Sequence, residues 1–321
     1  MLQATIKQLP WILALFVLGP IAGHLTGSLR APDGSAQATL LVSTAPAMGI
    51  VAGAVTLLFA LGVGVFASHL NGCRSGLNSA GIVVAWAAAQ TATIDGILRR
   101  TQSDSPLITL AVEGLIFGAF AVPVAAIIWR AGLGKGQHGE LHPLPDGSPS
   151  MPAFLTANPW GPKGLRDEHE SLGAGLVRAL TRPAGLGAIG VTVVVGFGIA
   201  YLVCQDTLKG QAIFAAALAG IVAVPLGRLA GESLKEQPPI ASFVIGFAIL
   251  GLAGPLAAKF LHAGSLIPDL YAGKLIGAAA PVTLDWIAGA CIGLPIGEAW
   301  FLGMFKPAEK AAGGRPGPRT A

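Results

Sequence analysis

Glu113 is the residue of this chain whose position most demands a chemical reason. It falls about six residues into an apolar stretch, 107–129, with no basic residue at helical spacing from it. A charge in hydrocarbon costs about 2.5 to 3.5 kcal/mol even on insertion scales, so this carboxyl must be protonated, paired with another segment or open to a cavity. Five other ionisable residues share its depth: His24, Asp95, Lys259, His262 and Asp285. With Glu113 they come from five different apolar stretches and all fall in or just beyond the outer third. Such a convergent set has the chemistry to hold a proton, a cation or a small polar solute.

Most of these residues also have a simple local account. Asp95 stands one turn before Arg99, Lys259 and His262 can snorkel to the interface, and Asp285 suits the first turn of a helix, where the dipole favours an acid. Thr91 and Asp95 are separated by about one turn and so neighbour each other on the third helix. Glu113 alone has no local account. The candidate substrate or ion pathway is therefore Glu113, Asp285, Asp95 and His24.

Other chemistries lack their residues. Two G-x-G-x-x-G matches, Gly134 to Gly139 and Gly185 to Gly190, follow no strand, which dinucleotide binding requires, and glycine is abundant at 45 residues. His138, Glu140, His142 and the cluster at 167–170 lie in a proline-rich loop that offers no rigid tetrahedral set, so no metal is expected. No catalytic motif for a zinc peptidase, a serine hydrolase or a P-loop enzyme is present, and the G-x-G-D of intramembrane aspartyl proteases is absent. The expectation is no cofactor and no nucleic acid, with an enzyme the less favoured class. Cys73, Cys204 and Cys291 have no metal or redox spacing and read as small buried residues.

The elements that position these residues are apolar stretches of bilayer length. The chain is 53% hydrophobic and 11% charged, and a core about 30 Å thick needs roughly 20 apolar residues per helix. Helices are expected over 11–29, 47–70, 80–98, 107–129, 185–204, 211–226, 240–260 and 282–305. The fold class is all-α, a polytopic transmembrane bundle of about eight spans. The third stretch is weakened by Gln90, Thr91, Thr93 and Asp95, and the sixth is short, ending near Arg228. The first resembles a signal peptide, with Ala36-Gln37-Ala38 as its cleavage form, yet Arg30 intervenes and an uncleaved anchor is expected.

Eight spans divide the 20 Lys and Arg residues as 14 on the side of both termini and 6 opposite. Cation-rich loops are poorly translocated, so the termini belong in the cytoplasm, with the chain in the inner membrane if its source is bacterial. The net charge of +4 is then topological.

Residues 1–130 form a first four-helix half, 131–183 a cytoplasmic proline-rich loop with a surface helix over 165–180, 184–305 a second four-helix half, and 306–321 a basic flexible cytoplasmic tail. Each half ends with Thr-Leu near the start of its last helix, an acid soon after, a G-x-x-x-G face and then Pro123 or Pro295. Four spans per half would make a 4+4 parallel repeat. Gly289, Gly293 and Gly297 line one helix face and offer a surface for a second copy or a membrane partner; lipid is the other expected contact. Prolines at 20, 123, 225, 255 and 295 are placed to interrupt helices, a feature of many transporter sites. The expectation is a small-solute or ion permease with an outward polar site. The competing expectation is a membrane subunit or scaffold without catalysis, and an intramembrane enzyme ranks below both.

Overall fold

The computed structural model describes residues 2–30, 38–132, 172–205 and 208–305. The proline-rich part of the central loop, residues 165–171 of the surface helix, and the tail lie outside them. Every regular element among the described residues is helical. α1 (Leu2–Leu13) passes through a π-helical turn (Ala14–Leu18) into α2 (Gly19–Gly27). The wide turn has a local cause: Pro20 has no N–H to offer the carbonyl four residues back, and the ladder loosens just before it. Then follow α3 (Pro46–Asn71), α4 (Cys73–Ala88), α5 (Ile94–Thr101) and α6 (Ser105–Ala131). The second half comprises α7 (Leu172–Thr181), α8 (Pro183–Val203), α9 (Lys209–Ser233), α10 (Ile240–Leu261), α11 (Leu266–Tyr271), a short 3-10 turn (Gly277–Ala279) and α12 (Thr283–Phe305).

Seven of the described helical segments are long and apolar enough to cross a membrane. Their outer faces carry exposed side chains such as Val194 (72%) and Phe16 (69%), whereas Glu113 and Asp285 are 0% exposed. Apolar outside and charged inside is the polarity of a protein solvated by lipid. The chain is a multi-pass integral membrane protein, an all-α bundle.

The third apolar stretch differs from its expected form. It is two helices, not one over 80–98: α4 ends at Ala88, and residues 89–93 are non-helical before α5 begins. Thr93 caps the new start by accepting from the Gly96 N–H, which is why a polar run of Gln90, Thr91 and Thr93 stops one helix and opens another. Thr91 turns back to the Ala88 carbonyl, so it does not share a helical face with Asp95. Gly72, at φ +89°, makes the corner between α3 and α4. Sixteen residues span about 24 Å, short of the bilayer core, and α4 is not among the helices long and apolar enough to cross on their own.

The prolines do not supply the break. Pro123, Pro225, Pro255 and Pro295 lie inside continuous helices, their freed carbonyls tolerated because tight neighbours surround them. The sixth span is also longer than expected, running to Ser233, since Arg228 is paired and need not end it.

One end of the bundle, the near end, gathers the start of α1 and the ends of α3, α6 and α12. Asn71 donates to the Lys7 carbonyl (2.7 Å), Ser68 to the Ile128 carbonyl (2.8 Å), and Glu298 lies within electrostatic reach of Cys73. Arg228 grips Glu298 through Nε (3.0 Å) and Nη2 (3.1 Å) and donates to the Pro238 carbonyl. Glu298 is thus the buried partner of Arg228.

Small residues set the helix spacing. α6 meets α10 where Gly114 faces the Gly251 backbone, and α12 meets α9 where Gly293 touches the Ala217 carbonyl and Gly220. Gly289 and Gly297 face Ala216 and Ile221 of the same helix. The proposed partner surface at Gly289, Gly293 and Gly297 is therefore corrected: α9 of the same chain fills it, because only glycine lets two backbones approach so closely. The halves interlock, with α4 packed on α12 and α6 on α10.

Candidate functional site

The site forms at the far end, where three interruptions of the backbone meet. The Ala92 N–H donates to the Ala38 carbonyl (2.9 Å), joining the break after α4 to the connection between α2 and α3. The Ile94 N–H reaches the Ala280 carbonyl, bringing in the segment before α12. Arg30 clamps the outer side through the carbonyl and side chain of Gln90.

Glu113 projects from α6 into this junction. Its Oε2 accepts from the Thr39 hydroxyl (2.7 Å) and the Leu41 N–H (2.8 Å). Its Oε1 is shut from solvent and has no partner among the described residues. Asp285 enters from the first turn of α12. Its Oδ2 accepts from the Val282 N–H (2.9 Å), capping the start of the helix, and from Lys209 Nζ (2.7 Å). Its Oδ1 is likewise buried and unpartnered.

Lys209 opens α9, where the helix dipole disfavours a cation, so its position breaks a local rule. Its ammonium is held there by Asp285 and by the Ala92 carbonyl (3.3 Å), with the side chain 18% exposed. Lys209 and Asp285 are the charged groups within electrostatic reach of Glu113 among the described residues. Cys204, just beyond α8, lies close to the same pair; burial and then Asp285 push its thiol up to about 11, which keeps it unreactive.

Of the four pathway candidates, Glu113 and Asp285 meet here. Asp95 does not join them: it pairs with Arg99 (2.8 Å), which also donates to the Leu270 carbonyl and stacks on Tyr271. His24 sits on an exposed face of α2. Lys259 binds Asp104 (2.8 Å) at the rim. His262 accepts from the Ile276 N–H at Nε2, so Nδ1 carries the proton donated to Asp269 (2.9 Å). Hydrogen bonds from Ser265 and His262 hold the Asp269 carboxyl below the usual carboxylate range.

Sequence reasoning missed Lys209, Thr39 and Leu41. Lys209 had the form of a loop cation before an apolar run; its misplacement at a helix start was the available signal. Nothing in the sequence pairs Thr39 or the Leu41 amide with an acid 72 or 74 residues away.

Between the acids and the near end, α4, α6, α10 and α12 meet in an apolar seam. Leu77, Ala121, Val244, Phe247, Ile287 and Leu294 line a void of about 10 Å³ there, at the lower limit for one water. A groove of about 520 Å³ between α6 and α10 is apolar, reaches Leu176 and Leu180 of α7, and does not include Glu113.

Fold and site together define a polytopic helical membrane protein with a buried acid, lysine, acid cluster at a broken helix. Compared with known proteins, the chain matches no family model, no curated protein and no solved structure.

Proposed function

We propose that the chain is a small-solute or ion permease whose polar site is built on Glu113, Asp285 and Lys209. One observation carries the reading: two fully buried carboxyls, each with an oxygen lacking a partner among the described residues, converge where the bundle's backbone is unwound. Unwound backbone inside a membrane bundle is tolerated where it lines a site, and carbonyls freed by a break favour cations. The apolar seam below the acids makes this a form closed toward the near end. The 14 to 6 division of cations supports a cytoplasmic near end and an outward-facing site. Asp95 belongs to the surrounding frame in this reading, and His24 to its exposed flank.

The 4+4 parallel repeat is part of the proposal. Its support is that each half carries its acid on its last helix and holds it from the stretch that joins its first two spans, the connection itself in the first half and the opening residue of α9 in the second. Thr39 and Leu41 do this for Glu113, and Lys209 for Asp285.

The competing reading, a scaffold subunit, draws on the apolar groove between α6 and α10. Uptake into proteoliposomes across candidate ions and small solutes, with Glu113→Gln and Glu113→Leu beside the wild type, separates the two. Loss of uptake in both variants with folding intact supports the permease; wild-type rates in both would overturn the site.

A further inference from the structure

The cluster does not balance its own charge. Glu113 and Asp285 carry two formal negative charges, Lys209 one positive, and no other charged group among the described residues stands close enough to compensate. The charged groups on the helices packed against α6 all lie elsewhere or are engaged. On α3, His69 lies at the near end; on α4, so does Arg74; on α5, Asp95 is engaged with Arg99, and Arg100 is on the exposed side; on α10, Lys259 is engaged with Asp104; on α12, Glu298 is engaged with Arg228. The surplus of one negative charge is enclosed where neither unpartnered oxygen touches solvent.

The two halves of the site show where a compensating charge would go. Asp285 is held from its own half by an ammonium, whereas Glu113 is held from its own half by a hydroxyl and an amide N–H. A fixed cation fills one half-site. Beside Glu113 Oε1 no hydrogen-bonding group stands among the described residues.

Resting on the reading of this cluster as the functional site, we propose that it binds one monovalent cation, an alkali-metal ion or a proton, at Glu113. Lys209 is then the tethered counterpart of a mobile ligand. The stoichiometry follows from the charge count: one in the wild type, none in Glu113→Gln, none in Asp285→Asn, where Lys209 already balances Glu113, and two in Lys209→Gln. Asp285→Asn is the discriminating variant, since it leaves Glu113 and its hydrogen bonds in place.

The test uses the full chain in detergent. One arm titrates Na⁺, Li⁺ or K⁺ against choline at fixed pH and ionic strength; the other varies pH in choline chloride alone. At about a hundred times its dissociation constant, the ligand should raise the wild-type melting temperature by about 5 to 10 °C. The arm that responds identifies the cation, and equilibrium binding of radioactive sodium counts sites in the first arm. The response should vanish in Glu113→Gln and in Asp285→Asn, which covers failure of the first variant to fold. A wild type flat in both arms, or a response undiminished in Asp285→Asn, overturns the proposal. Cation binding without solute flux would leave it standing and sink the permease; flux indifferent to both cations would do the reverse.

Discussion

Replacing Lys209 by Met should destabilise the protein by about 3 to 5 kcal/mol, the cost of breaking a buried ion pair by removing one partner. Met preserves the aliphatic stem, so little of the loss comes from packing. The loss comes from Asp285. It is 0% exposed, one of its oxygens already lacks a partner, and the other would keep only the Val282 N–H after losing an ammonium at 2.7 Å. The Ala92 carbonyl would also lose its 3.3 Å contact. At about 2 to 4 °C per kcal/mol for a chain of this order of size, the melting temperature should fall by about 10 °C. The assay is thermal unfolding in detergent, in choline chloride at fixed pH so that no alkali ion takes the place of the lysine. Adding Asp285→Asn to Lys209→Met should recover most of the loss, since the amide still accepts from Val282 and leaves no charge to compensate. A single variant melting within about 2 °C of the wild type would refute the reasoning, because the pair would then be solvated and not enclosed. A double variant less stable than the single would refute it equally.

Gly293→Ala should lower the melting temperature clearly, by an overpacking cost of about 1 to 3 kcal/mol, because its methyl group would overlap the Ala217 carbonyl and Gly220. Gly190→Ala on α8, with open space around it, should be neutral or mildly stabilising in the same assay. Reporter fusions at Ala321 and within the central loop should both report the cytoplasm; external activity from either would overturn the proposed orientation and the count of eight crossings.

Apolar stretches of bilayer length follow from composition along the chain, because the bilayer imposes a length and a polarity on any segment that crosses it. The all-α class and the seven long helices were therefore legible in order and nearly in extent. Glu113 was legible for the same reason: a carboxyl in an apolar run is an anomaly in one dimension, with no neighbour at helical spacing to excuse it. Its partners were not. Lys209 and Asp285 are 76 residues apart, and each has an ordinary local description, a loop cation and a first-turn acid. Helix interruptions were expected at prolines, yet Pro123, Pro225, Pro255 and Pro295 lie inside continuous helices and the break falls at residues 89–93, because a proline's lost hydrogen bond can be absorbed by close neighbours. A polar segment whose N–H groups find carbonyls on two other connections gains more by unwinding. The glycine face of α12 could be read as a contact surface from spacing alone, but spacing cannot say which helix covers it. Packing chose α9, and that choice, made by backbone approach in three dimensions, also carried Lys209 to Asp285.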